Sequence, residues 1–343
     1  MSAEAFLVRA WYQKRIWLVV LVPLSWLVRL ISILRRWFLQ WRYQGSPYSV
    51  PVVVVGNISV GGSGKTPLII SLVKTLIERG LKVGVVSRGY GGQAPLYPLT
   101  VNADSKVAHC GDEPLLIARK CGCPIVVDPN RSRAVAMIIE EFECDIVLSD
   151  DGLQHYALHR DVEIVVIDSI RGFGNRCIIP AGPLREPLER LNEVHFLVHN
   201  GKKEKLEDSS RDIHVSLRPI GLRNAKTNEL VHHADWQTSL HVKAVAGIGN
   251  PESFARTLFK MGFSPTLIAK NDHESLTPED IFSENPDEAV VVTEKDIVKY
   301  RGQVPGNLWV LEVEIPLSKK FVNDICFLSN FQNINKFLTF LQK

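Results

Sequence analysis

An α/β fold organised on a parallel sheet is what this sequence predicts, and three observations predict it. Short runs rich in Val and Ile, such as 51–57 and 162–168, recur between amphipathic stretches, the rhythm of strands joined by helical crossovers. Those runs are apolar without alternation, as expected of strands covered on both faces. The chain has 343 residues, 45% apolar and 22% charged, which is long enough for two domains and ordinary for a folded protein.

The first fifty residues stand apart. They carry seven Lys and Arg against the single acid Glu4, a net +6 in a chain whose formal charge is only +3. Five of the seven tryptophans (Trp11, Trp17, Trp26, Trp37, Trp41) lie there too. A nucleic-acid arm would be basic and polar, whereas this one is basic and apolar, so no nucleic acid is expected as partner. Basic flanks, interfacial aromatics and an apolar centre point to membrane lipids instead.

The run 16–34 is long enough to cross a bilayer and lacks the cleavage site of a secretory signal. Its 13 Leu, Ile and Val residues favour insertion by about 4 to 8 kcal/mol, and Arg29 opposes it by about 3 kcal/mol, so spanning is marginal. Ser25, Arg29, Ser32 and Arg36 share one helix face with Leu and Trp opposite, which suits a helix lying among headgroups. The expectation is a membrane-associated helix over residues 1–45, with the body on the cytoplasmic side. Glutamate at Arg29 and Arg36 is expected to weaken binding to anionic vesicles. Six cysteines without a CxxC pair suit a reduced compartment.

After a turn at Gly45-Ser46-Pro47 the strand–helix rhythm begins. Strands are predicted at 51–57, 82–87, 124–127, 145–150, 162–168 and 195–200, with helices over 67–79 and near 132–143. The polar stretch 201–212 reads as a surface connection. A second α/β rhythm runs from 242–262 through 289–296 to 308–315, and 319–342 reads as a helix that could pack on either domain. The expected division is 46–212 for the first α/β domain, 213–318 for a smaller second one, and 319–343 for the last helix.

The strand at 51–57 ends in "SVGGSGKT", which fits the phosphate-loop pattern except that Ser59 replaces its first glycine. Residues Ser59, Val60, Gly61, Gly62, Ser63 and Gly64 would wrap backbone N–H groups around an oxyanion at the start of a helix. Lys65 supplies a positive charge for β- and γ-phosphates, and Thr66 a hydroxyl for Mg²⁺. This predicts a P-loop NTPase-type sheet flanked by helices. Partitioning-type ATPases carry a lysine where Val60 stands, and the Asn-Lys-x-Asp guanine reader is absent, 293–296 having the wrong order. ATP is therefore the expected nucleotide.

Carboxylates and arginines recur on loops near that edge. Asp150 and Asp151 end the strand 145–150, where such folds hold Mg²⁺. Asp112 and Glu113 in "CGDEP" could equally cap a helix. His155 and His273 are isolated in the sequence. Arg131, Arg133 and Arg185 lie in loops suited to anions, since guanidinium pairs phosphate oxygens in two places at once. A nucleotide-driven switch releasing phosphate to water, and a soluble small-molecule kinase, both remain compatible with these residues alone.

Taken in order, "VVVVGNISVGGSGKTP", "SRGYGG", "GDEP", "NRSRA", "SDDGLQH", "GPLREP" and "GIGNP" followed by the Asp272-His273 pair resemble the tetraacyldisaccharide 4'-kinase family, the lipid A kinases of Gram-negative bacteria. The resemblance runs from about residue 51 to 273. It implies transfer of the ATP γ-phosphate to the 4'-hydroxyl of a lipid A disaccharide precursor at the cytoplasmic face of the bacterial inner membrane. It further implies Asp112 as the base with His273 assisting and Lys65 at the transferred phosphate. Thr66, Glu113, Asp150 and Asp151 would be the Mg²⁺ group, and Arg131 and Arg185 phosphate holders.

Overall fold

The computed structural model describes residues 3–43, 48–201, 210–283, 285 and 288–329. The expected turn at 45–47, most of the polar connection and the end of the last helix lie outside those residues. Two sheets carry the fold. The first has eight strands in the order β3-β4-β2-β5-β1-β6-β7-β8. They are β1 (Val52–Gly56), β2 (Val83–Ser87), β3 (Leu99–Val101), β4 (Ile125–Val127), β5 (Ile146–Asp150), β6 (Val162–Asp168), β7 (Phe196–Asn200) and β8 (Asp212–Val215). All neighbours pair in parallel except β3, which runs antiparallel to β4.

The unbroken valine run explains why β1 sits at the centre. Val53 and Val55 join the core on one face of the sheet, while Val52 and Val54 join the core on the other. Alternate side chains of a strand point to opposite faces, so a strand needs apolar residues at every position only when both faces are covered. The helix Lys65–Glu78 covers the first face with Leu68, Ile69, Leu72, Val73 and Leu76, and the helix Arg131–Phe142 covers the other with Ala134, Val135 and Ile138.

The second sheet has six strands in the order β10-β9-β14-β13-β11-β12: β9 (Arg218–Asn224), β10 (Leu230–Val231), β11 (His241–Ala246), β12 (Ser264–Ala269), β13 (Ala289–Thr293) and β14 (Leu308–Glu314). Its centre is parallel, and β9 runs antiparallel to β14. Because β8 pairs with β7, the first sheet reaches Val215, three residues past the boundary expected at 212. The helix Lys319–Leu328 packs on the first sheet, with Phe321 edge-on to Phe196 at 5.1 Å between ring centroids.

The amino-terminal segment has three helical pieces: Ala3–Tyr12, a 3-10 turn Ile16–Leu21, and Val22–Arg42. Residues Ile16–Arg42 have a mean hydropathy of 2.2 over their most apolar window, enough to cross a membrane by length and composition. Their orientation corrects the sequence expectation. The Ser25, Arg29, Arg36 face turns onto the protein body rather than outward: buried Ser25 donates to Ile178 O at 2.8 Å and accepts from Ala181 N at 3.0 Å. Arg29 lies 3.7 Å from Glu189, and Arg36 pairs with Glu193. Trp26, Leu30, Ile33, Leu34, Trp37 and Trp41 face outward. Buried main-chain groups need partners, and Ser25 on the polar face is the one that serves Ala181 N.

Candidate active site

The carboxyl ends of β1, β2 and β5 meet the amino end of the helix Lys65–Glu78, which directs its backbone N–H groups into the space above the sheet. Gly64 caps that helix with φ 92°. A Cβ there would lie 2.4 Å from the Asn200 amide nitrogen, so only glycine fits. Buried Asn57 donates to Gly61 O and Ser63 Oγ, both at 3.3 Å, and Asn200 donates to Ser63 O at 3.2 Å. The loop is therefore held from two strand ends and by Val60 N, which donates to Pro183 O at 2.8 Å, so the Val60 N–H predicted to face a phosphate is already taken.

Lys65 Nζ lies 3.4 Å from Asp151 Oδ1, and Arg185 Nη1 donates to Asp151 Oδ2 at 3.0 Å. Burial opposes ionisation of Asp151, yet Lys65 and Arg185 outweigh it and hold the carboxyl at about 2. Its neighbour goes the other way. Burial, then the charges of Glu113 and Asp151, push Asp150 up to about 7 against the pull of Lys65 and Arg131. Ser87 Oγ donates to Asp150 Oδ2 at 3.3 Å, and the buried Oδ1 has no hydrogen-bond partner among the described residues. Two adjacent carboxyls are thus pushed in opposite directions because one is paired with cations and the other is buried among acids.

The helix Asp112–Cys121 opens with Asp112, whose Oδ1 accepts from Glu113 N at 2.9 Å. His273, brought by the loop after β12, places Nδ1 2.9 Å from Asp112 Oδ2 and 3.1 Å from Oδ1. Burial works against the Asp112 charge, but the hydrogen bond to His273 and the nearby Lys295 and Lys299 carry its pKa below the usual carboxylate range. Burial likewise works against His273 charging, and the bond to Asp112 raises its pKa on balance. Lys295, just beyond β13, reaches Glu113 Oε1 at 3.0 Å, His273 Nε2 at 3.4 Å and Asp272 Oδ1 at 3.6 Å. The Tyr90 ring lies 4.9 Å from the His273 ring.

The second sheet also closes over the phosphate loop. Gly249 packs so tightly on it that a Cβ would sit 2.6 Å from Gly62 N. Arg171 Nη1 donates to Gly249 O at 2.9 Å, and its guanidinium covers the Tyr12 ring at 4.3 Å. One arginine thus links the amino-terminal segment, the loop before Asn175 and the second sheet.

The sequence-predicted residues fall into two clusters, Lys65, Asp150, Asp151 and Arg185 in one and Asp112, Glu113 and His273 in the other, near enough that the Glu113 charge acts on Asp150. Two expectations change. Glu113 turns toward Lys295. Arg131 is 3% exposed and donates to the carbonyls of Asp128 at 3.1 Å and Asp150 at 3.4 Å, so it braces the carboxylate strand from beneath rather than presenting itself to a phosphate. Sequence reasoning missed Arg171 and Lys295. Lys295 sits in a Thr-Glu-Lys-Asp run weighed only as a base reader, and its partners are far away in the chain.

Among the described residues, no three His, Cys, Asp or Glu side chains converge as a metal cage. A nucleotide-borne Mg²⁺ does not require one, since it takes one or two protein oxygens and fills the rest with phosphates and water. Thr66, buried in the first turn of its helix, and the unpartnered Asp150 oxygen are oxygen donors of that kind.

The sequence profile described as tetraacyldisaccharide-1-P 4'-kinase matches residues 17–328. The tetraacyldisaccharide 4'-kinase of Stutzerimonas stutzeri is 45% identical over 324 residues, spanning 94% of this chain and 96% of that one. The enzyme of the same name from Azotobacter vinelandii is 46% identical over 323 residues, covering 92% and 94%. The crystal structure of LpxK from Aquifex aeolicus in complex with ATP superposes with a TM-score of 0.74 at 26% identity, covering 91% of this chain and 99% of that one.

Proposed function

The chain belongs to the tetraacyldisaccharide-1-P 4'-kinase family, and from that premise we propose how its residues carry out the reaction. It transfers the γ-phosphate of ATP to the 4'-hydroxyl of a tetraacylated disaccharide 1-phosphate, a step in lipid A synthesis. The observations that support this reading are a cationic phosphate loop and a hydrogen-bonded Asp112–His273 pair, with Glu113 beside Asp112 close enough for its charge to act on Asp150 at the loop.

The triphosphate lies along the loop with its oxygens on the backbone N–H groups of 61–66, that of Val60 being held by Pro183 O, and with Lys65 at the transferred phosphate. Arg185, oriented by Asp151, neutralises charge on the γ-phosphate as it spreads over the equatorial oxygens. Thr66, Asp150 and Asp151 are the residues that would hold Mg²⁺, with Glu113 close enough to act on Asp150 through its charge. When bound, Mg²⁺ supplies charge neutralisation and a fixed β,γ-phosphate geometry.

Asp112 is the base. Held ionised by His273, it accepts the 4'-hydroxyl proton as the hydroxyl oxygen bonds to the γ-phosphorus and the β,γ bridging bond breaks. ADP leaves with the bridging oxygen, and the proton on Asp112 passes to water. The acceptor is a lipid, and the outward apolar face of Val22–Arg42 would bed in the cytoplasmic face of the bacterial inner membrane, keeping the site at the surface where that lipid resides.

The test is transfer of label from γ-labelled ATP to the tetraacylated disaccharide 1-phosphate in mixed micelles with Mg²⁺, using Lys65→Ala as control. A labelled lipid that the variant loses by several orders of magnitude supports the reading, each factor of ten being about 1.4 kcal/mol of barrier. Label released only as free phosphate would overturn it.

A further inference from the structure

We propose that Lys295 is a positioning residue that fixes the imidazole of His273 in the tautomer needed to orient the base Asp112; this rests on the reading of Asp112 as base. The argument is one of donors and acceptors. An ionised carboxylate can only accept, so at 2.9 Å the His273 Nδ1 must carry the proton it gives to Asp112. The other nitrogen, Nε2, lies 3.4 Å from Lys295 Nζ, and an ammonium can only donate. Nε2 is then a lone pair with the proton on Nδ1, Lys295 opposing the second proton that the bond to Asp112 favours. A proton on Nε2 would face the ammonium.

Lys295 is 17% exposed at its side chain and faces the ring from among carboxylates. Its ammonium lies 3.0 Å from Glu113, 3.4 Å from His273 Nε2, 3.6 Å from Asp272 and 3.9 Å from Asp112 Oδ2. The groups facing the imidazole are Asp112 and Tyr90 from the first domain and Asp272 and Lys295 from the second, so Lys295 is the cation on the ring's far side.

The backbone beneath is fixed separately. Lys299 Nζ donates to Gly247 O at 3.3 Å, Asp296 accepts from Gly247 N at 3.1 Å, and that same carbonyl accepts from His273 N at 3.2 Å. The run 293–299 thus divides its work: Asp296 and Lys299 set where the histidine backbone lies, and Lys295 sets which ring nitrogen holds the proton.

A double-mutant cycle on kcat tests it, in the full chain, with Lys295→Met and His273→Gln singly and together and Asp112→Asn alongside. Lys295→Met is expected to lower kcat by about ten- to a hundred-fold, the usual scale for a residue that orients a reacting group, with KM for ATP little changed. In the His273→Gln background it should cost much less than in the parent, because the part of its effect that passes through the ring is gone and only its direct charge 3.9 Å from Asp112 Oδ2 remains. Lys295→Arg, which keeps the donor, should recover most of the rate. Losses that multiply in the double variant would overturn the proposal and make Lys295 a brace between Glu113 and Asp272. If Asp112→Asn keeps the parent kcat, the base reading fails and the proposal goes with it. A large Asp112→Asn loss with multiplying Lys295 and His273 losses removes the proposal alone.

Discussion

Replacing Trp26, Trp37 and Trp41 together by alanine examines the outward face of the long amino-terminal helix. The three rings are 70%, 67% and 63% exposed. An indole side chain offers roughly 150–250 Å², so each presents about 100–160 Å² of apolar surface to its surroundings. At about 25 cal/mol per Å² that is roughly 2.5 to 4 kcal/mol per ring if fully transferred from water. Rings at an interface realise only part of it, and half of the sum is still at least about 4 kcal/mol. At about 1.4 kcal/mol per decade, the triple variant should partition into vesicles roughly a thousandfold more weakly. Co-sedimentation with phosphatidylglycerol vesicles measures this directly. Glutamate at Arg29 and Arg36 serves as the contrast, since those arginines meet Glu189 and Glu193. Their reversal should loosen the helix from the body and lower the melting temperature, with a smaller change in vesicle affinity. A triple variant that sediments like the parent, with the arginine variants released instead, would show the helix facing the other way.

Three more outcomes follow from particular contacts. Ser25→Ala leaves the buried Ala181 N–H without its partner and the Ile178 carbonyl with Gly182 N alone, which should cost about 1 to 3 kcal/mol and lower Tm by several degrees in a calorimetric scan. Asp112→Asn should lower kcat while ATP affinity, measured by titration calorimetry, stays close to that of the parent; a pure KM effect would remove Asp112 from the base role. Glu312 is bound by Arg223 at 2.6 Å and Lys120 at 2.7 Å, which overcome its burial and hold its carboxyl at about 2 against an ordinary 4.5. The stability it contributes is present above about pH 4.5 and drains as the pH falls toward 2, because the unfolded chain then binds the proton first. Glu312→Gln should flatten the fall of unfolding free energy over that window, and an unchanged slope would count against the assignment.

Much of this was legible in the chain because it is local. The valine run 52–55 reads as a strand buried on both faces, and β1 lies at the centre of the first sheet. Lys65 and Thr66 declared themselves because a phosphate loop is a contiguous run with glycines where the backbone must turn. Asp150 and Asp151 did so because they end an apolar strand. The amphipathic pattern of the amino-terminal helix was equally plain, yet which face meets the protein was not. Serine and arginine suit headgroups and buried carbonyls alike, and only the position of 178–181 beneath the helix decides between them.

The sequence by itself therefore determined the central strands and their covering helices, the nucleotide loop and the greasy, basic amino terminus, since each depends on dihedral preferences and periodicities within a dozen residues. The edge strands β3 and β8 were not read from it. Only the tertiary structure decided that His273 stands 2.9 Å from Asp112 across 161 residues, that Lys295 closes the far side of that ring across 22 residues, and that Arg131 braces Asp150 from below. Such distances are set by how two sheets pack and where their loops meet. A carboxylate reads the same in a string of letters whether it caps a helix, holds a metal or takes a proton, and its neighbours in space decide which.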